Sequence, residues 1–163
     1  MSKVKVTESA LTYSADTSAE NAVIHQALAI LDSRINRDTA VLRNPQDCKD
    51  YLCLKLGGEA REVFAVMYLN TRMAVVAFDT PFAGTLTQTS VYPREIAKRA
   101  LELNAAAVVL SHNHPSGVPT PSGADEALTQ TMKSTLALID VRVLDHIVVA
   151  GRQTVSFAER GLL

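Results

Sequence analysis

The chain has 163 residues, 47% of them hydrophobic and 20% charged, a balance that suits one globular domain with a buried core. A formal net charge of −1 leaves no basic footprint for sequence-independent nucleic-acid binding. No apolar stretch approaches the roughly 20 residues that span a bilayer, and the start, MSKVKVTESALTYSAD, lacks the apolar core of a signal peptide. Cys48 and Cys53 are not spaced as CxxC and read as reduced thiols of a cytoplasmic protein.

Residues 1–16 show no periodicity and are expected to be an extended lead-in. Thr17-Ser-Ala-Glu20 has the spacing of a capping box, ahead of a helix with Ile24, Leu28, Leu31 and Ile35 on one face. That face is expected to pack on the core, with a homodimer arm as its alternative use. Asn44-Pro45 opens a second helix and Gly57-Gly58 closes it. Glu62 to Leu69 is apolar on both faces, as a central strand must be, and Arg72 to Phe78 follows a short turn at Asn70-Thr71 to make a hairpin. Thr85 to Val91 is a further strand candidate, and Pro93 to Leu103 a helix stopped near Asn104. Ala105 to Ser111 is a short buried strand. The loop Pro115 to Pro121 is stiffened by three prolines, and a helix runs from about Gly123 to Leu138. Val141 to Ala150 reads as a strand interrupted at Asp145-His146, and Thr154 to Phe157 as a short last strand. The order is mixed α/β with mainly hairpin-type connections.

The chemistry concentrates in SHNHPSGVPTPSGADEAL. His112 and His114 are two residues apart, so on a strand both imidazoles leave the same face. Asp125 returns a carboxylate from the first turn of the next helix. Two imidazoles and one carboxylate, with a position left for water, suit a catalytic zinc; the same set can also hold iron(II) in an oxygenase. Ser122 and Asp125, as S-x-x-D, are equally a capping box, and the two uses are compatible. There is no HExxH, no HxE with PCxxC, no phosphate-binding GxxxxGK[ST] and no GxSxG elbow.

HNHPSG…PSGAD resembles the JAMM motif, H-x-H-P-x6-S-x2-D, of the MPN/JAB metallopeptidases. LGGEAREVFAVMYLN, GTL, YPREIAKRALELNAAAVVLSHNHPSG and LDHIVVAG narrow the resemblance to the RadC-like branch, over roughly Asn44 to Leu163. The resemblance implies a single α/β (α+β) domain of the cytidine-deaminase-like kind, residues 41–163. Its curved mixed sheet would be flanked by helices, with the site at the strand ends, and residues 1–40 would be an N-terminal extension with one helix. It implies His112, His114 and Asp125 as zinc ligands. Ser122 would stabilise a tetrahedral intermediate, and Glu62 would be the general base of a zinc hydrolase cleaving peptide or isopeptide bonds in a peptide or protein substrate. Longer RadC proteins carry an N-terminal helix-hairpin-helix region that has no counterpart in these 163 residues. The rival expectation is a non-catalytic, metal-stabilised binding module of DNA-processing machinery. His146, within LDHIVVAG, either hydrogen-bonds near the metal or sits satisfied in the core; the structural role is the expected one.

Overall fold

Two strands, Val63–Leu69 and Ala107–Asn113, are buried along their whole length, and the remaining elements cover both of their faces. The computed structural model describes residues 16–35, 45–84 and 91–163. In chain order the elements are α1 (Asp16–Ile35), α2 (Pro45–Leu56), β1 (Val63–Leu69), β2 (Val75–Ala83), α3 (Pro93–Glu102), β3 (Ala107–Asn113), α4 (Gly123–Ala137), β4 (Arg142–Ala150) and β5 (Gln153–Ser156). The strands make one open mixed sheet in the order β2-β1-β3-β4-β5. Only β3 and β4 are parallel, and α4 is their crossover. The mixed α/β class expected from the sequence is the one observed.

Side-chain alternation on β1 divides the core in two. Val63, Ala65, Met67 and Leu69 meet Cys48, Tyr51, Leu52 and Leu56, which recur at helical spacing along α2. Phe64, Val66 and Tyr68 turn the other way, to Ile96 and Ala100 of α3 and Met132 and Leu136 of α4. On β3, Ala107 and Val109 belong to the first layer, Val108 and Leu110 to the second. The next residue on that second face is His112, at the end of the strand.

Cys48 and Cys53 are free thiols. Burial, reinforced by the charge of Asp145 and only partly opposed by Lys49, pushes the Cys48 thiol up to about 12. It therefore serves as a small apolar side chain of the core. On α1, Leu28 and Leu31 pack against the first layer as expected, whereas Ile24 is exposed together with Val23 and Ile30. The side chains of Thr17 and Ile35, residues 1–15 of the expected lead-in, and residues 85–90 of the expected strand lie outside the described residues. Among the described residues no helix is long and apolar enough to cross a membrane.

Several boundaries differ from the sequence reading. β3 runs from Ala107 to Asn113 in place of Ala105 to Ser111, so that His112 lies within the strand. Three other differences each have a local reason. The β1–β2 turn runs from Asn70 to Ala74, because Asn70 Oδ1 accepts the N–H groups of Arg72 and Ala74 (2.8 and 3.1 Å), so β2 starts at Val75. It then continues to Ala83, with Thr80-Pro81 opposite Ala65 as a bulge, a position where proline costs no ladder bond. β4 passes unbroken through Asp145-His146; the irregularity is a register shift that leaves Leu144 unpaired against β3.

Gly57 is required by a close approach. A Cβ there would collide with the carbonyl oxygens of Gly151 and Cys53, both backbone atoms, whereas one on Gly58 would meet nothing within 4 Å. Gly57→Ala is expected to cost about 2–3 kcal/mol in urea unfolding. Gly58→Ala should leave the midpoint near that of the parent chain. Equal midpoints for the two variants would show that the α2–β4 approach yields freely.

Candidate metal centre

The central strand β3 carries His112 on the face that meets α4, and the residue is only 2% exposed. His114 follows two residues on, where its N–H donates to Val149 O (2.7 Å) and prolongs the β3–β4 pairing by one step. The chain then turns: Gly117 N–H donates to His114 O, Gly117 takes φ +78°, and Val118 O returns to accept from His114 Nδ1 at 2.8 Å. A carbonyl only accepts, so the His114 proton sits on Nδ1 and its Nε2 is bare.

Asp125 arrives from the first turn of α4, and its position is set by the helix cap. Ser122 Oγ accepts from Asp125 N–H (3.2 Å), while Asp125 Oδ2 accepts from Ser122 N–H (2.6 Å) and Oγ–H (2.7 Å). This is the capping box expected from S-x-x-D, and it aims the carboxylate at the histidines. His112 Nε2 lies 3.3 Å from Asp125 Oδ1, His114 Nε2 lies 3.6 Å from Oδ2, and the two Nε2 atoms are 3.0 Å apart. One ligand atom from each of the three residues falls within 4.8 Å of the others, so the group can hold a metal ion. Burial alone would raise the Asp125 carboxyl; the facing His112 ring and the two Ser122 donors outweigh it and hold the group well below the usual carboxylate range.

Behind His112 lies a buried polar string that the sequence reading did not assemble. His112 Nδ1 is 2.8 Å from His146 Nε2, and His146 Nδ1 is 2.6 Å from Thr129 Oγ1. His146 is thus satisfied in the core, the role expected for it, and its partner there is His112 of the candidate centre. Burial first, then the neighbouring His112, lowers the His146 imidazole well below the ordinary histidine range and keeps it neutral. Thr129 went unremarked in the sequence, although it lies four residues after Asp125 and hence on the same helix face.

Glu62 immediately precedes β1. Phe64 pairs with His112 at the end of the β1–β3 ladder, and the same register continued by two residues would set Glu62 opposite His114. The segment is fastened by Asn113, whose Oδ1 accepts Val63 N–H (2.7 Å) and whose Nδ2 donates to Glu59 O (3.2 Å) and Arg61 O (3.0 Å). The residue between the two histidines thus grips both sides of Glu62.

Residues 42–162 match the model of the RadC-like JAB domain. A UPF0758 protein of Methylibium petroleiphilum is 60% identical over 142 residues, 87% of this chain and 64% of that protein. A UPF0758 protein of Polaromonas sp. is 61% identical over 127 residues, 78% of this chain and 57% of its own. The UPF0758 protein YfjY of Escherichia coli is 48% identical over 140 residues, 86% of this chain and 88% of its own. The chain therefore spans less than two thirds of the first two relatives and most of the third.

The depressed Asp125 carboxyl carries a pH signature. The native state binds fewer protons here than the unfolded chain, so the stabilisation is present above the unfolded value of about 4 and is lost progressively below it. In urea unfolding without metal, the stability gap between the parent chain and Asp125→Asn should narrow as pH falls from neutral through that range. A gap independent of pH would contradict the arrangement around Asp125.

Proposed function

The chain belongs to the RadC-like JAB domain family, and we propose that it is a zinc-dependent hydrolase of amide bonds, peptide or isopeptide. The observation that carries this reading is the convergence of two imidazole Nε2 atoms and one carboxylate, from a strand end and a helix start, within 4.8 Å. Two nitrogens and one carboxylate oxygen are a donor set that zinc accepts with one position open. The hydrolytic unit would be residues 41–163, with 1–40 as an extension, and its substrate a peptide or protein. The free thiols of Cys48 and Cys53 suit a reducing, cytoplasmic setting.

His112, His114 and Asp125 would hold the ion, which would supply Lewis acidity and lower the pKa of a water to about 7. Glu62, held at the head of β1, would accept the proton of the attacking water and deliver it to the leaving amine. Ser122 has two tasks in this scheme. Its hydroxyl proton is given to Asp125 Oδ2 in the structure, which orients that ligand. Rotation of the hydroxyl toward the substrate would offer a donor to the developing oxyanion, a contribution of about 3 kcal/mol to the barrier.

Metal analysis should find about one zinc per chain, as a single three-ligand site requires, and none in a His112→Ala/His114→Ala variant. Glu62→Gln should retain the zinc and lose hydrolysis of peptide or isopeptide substrates by about 100- to 10,000-fold. No bound metal in the parent chain after zinc is supplied would remove the hydrolase reading. Zinc bound without turnover on any such substrate would favour the metal-stabilised binding module.

A further inference from the structure

We propose that His146 and Thr129 are positioning residues that fix the proton of His112 on Nδ1, so that its Nε2 presents a lone pair to the metal ion. The proposal rests on the zinc reading above and adds two residues outside the ligand set. His112, His146 and Thr129 are 2%, 0% and 0% exposed, so no solvent competes for their hydrogen bonds.

The direction of every proton in the string follows from its far end. The main-chain carbonyl of Asp125 lies 2.6 Å from Thr129 Oγ1, and a carbonyl can only accept. The single hydroxyl proton of Thr129 is therefore given to Asp125 O; the reverse assignment would leave two oxygens at that distance with no proton between them. Thr129 Oγ1 must then accept from His146 Nδ1–H at 2.6 Å. A neutral imidazole has one proton, so His146 Nε2 is an acceptor, and the atom 2.8 Å away, His112 Nδ1, must be the donor. That leaves His112 Nε2 bare, and it is the atom that faces His114 Nε2 and Asp125.

The rings cannot easily reorient to escape this logic. His146 stacks on Phe157 with centroids 4.7 Å apart and meets Phe64 edge-on at 5.7 Å. The string starts at the backbone of one proposed ligand residue and ends on the side chain of another. Docking of α4 thus sets the ligand state of β3.

The test pairs an isosteric deletion with a conservative rescue. Thr129→Val removes the hydroxyl and frees His146 to present Nε2–H, which would force the His112 proton onto Nε2. Thr129→Ser keeps the hydroxyl. His146→Leu removes the acceptor outright. Zinc dissociation constants, read by chelator competition, should weaken about 10- to 100-fold in Thr129→Val and His146→Leu and stay near the parent value in Thr129→Ser. Ring nitrogen-15 shifts of the zinc-free proteins at mildly alkaline pH should show His112 protonated on Nδ1 in the parent chain and on Nε2, at least in part, in Thr129→Val. Unchanged zinc affinity in folded Thr129→Val and His146→Leu would overturn the proposal while leaving the zinc reading intact. So would a parent His112 protonated on Nε2. No zinc binding by a parent chain whose His112 carries its proton on Nδ1 would instead sink the zinc reading and keep the relay. If His146→Leu fails to fold, the two Thr129 variants decide.

Discussion

Strands β1 and β3 are covered on both faces, and that double burial sets the terms for every polar residue on them. A buried donor or acceptor without a partner costs about 1–3 kcal/mol. Ser111, His112 and Asn113 are consecutive, polar and almost fully buried, so each needs a complete set of partners. Ser111 donates to Ile147 O on the neighbouring strand, Asn113 binds the segment before β1, and His112 finds His146. Among the described residues no buried side-chain nitrogen or oxygen lacks a partner. The chemistry sits where the sheet ends because only there can α4 bring polar groups to the strand.

What could be read from the sequence was what depends on short periods. His112 and His114 sit two apart on a strand, Ser122 and Asp125 three apart at a helix start, and both relations follow from local geometry alone. The doubly apolar run of β1 was legible for the same reason. The partner of His146 was not, because it is 34 residues away and only the β3–β4 register brings Leu110 level with His146. Asp145-His146 looked like a break in a strand. The strand continues because Asp145 is satisfied by its own neighbour's N–H, by Ser156 Oγ–H (2.6 Å) and by Ala158 N–H (3.0 Å). The Asn70 turn was misjudged in length because a side chain, rather than a dipeptide, organises it.

Ser122 and Asp125 show why a structural and a functional reading of one motif need not compete. The capping box satisfies helix N–H groups and places a carboxylate at the positive end of α4, contributions of about 1 kcal/mol each. The same contacts orient Asp125 toward the histidines. Asn113 plays a comparable double part on the other side of the strand. Alternation sends the two flanking imidazoles one way and Asn113 the other, where it fastens Glu59, Arg61 and Val63. The tripeptide His112-Asn113-His114 therefore organises both the ligand side of the centre and the backbone that carries Glu62.

The string from Asp125 O through Thr129 and His146 to His112 also bears on when an ion can enter the molecule. In a small zinc finger the metal gathers an otherwise unfolded chain, and binding energy is folding energy. Here Asp125 and His112 lie on different elements, and the proton arrangement of His112 depends on α4 already resting on β3 and β4. An early intermediate with α4 detached would hold two histidines on a strand end but neither the carboxylate nor the tautomer control. Such a chain has little to grip a cation, so an ion held by these residues would be a late arrival that tightens a finished fold. The consequence, on the zinc reading proposed above, is biosynthetic: the chain would complete its folding in a cell where free zinc is scarce and wait, shaped but unloaded, for an ion.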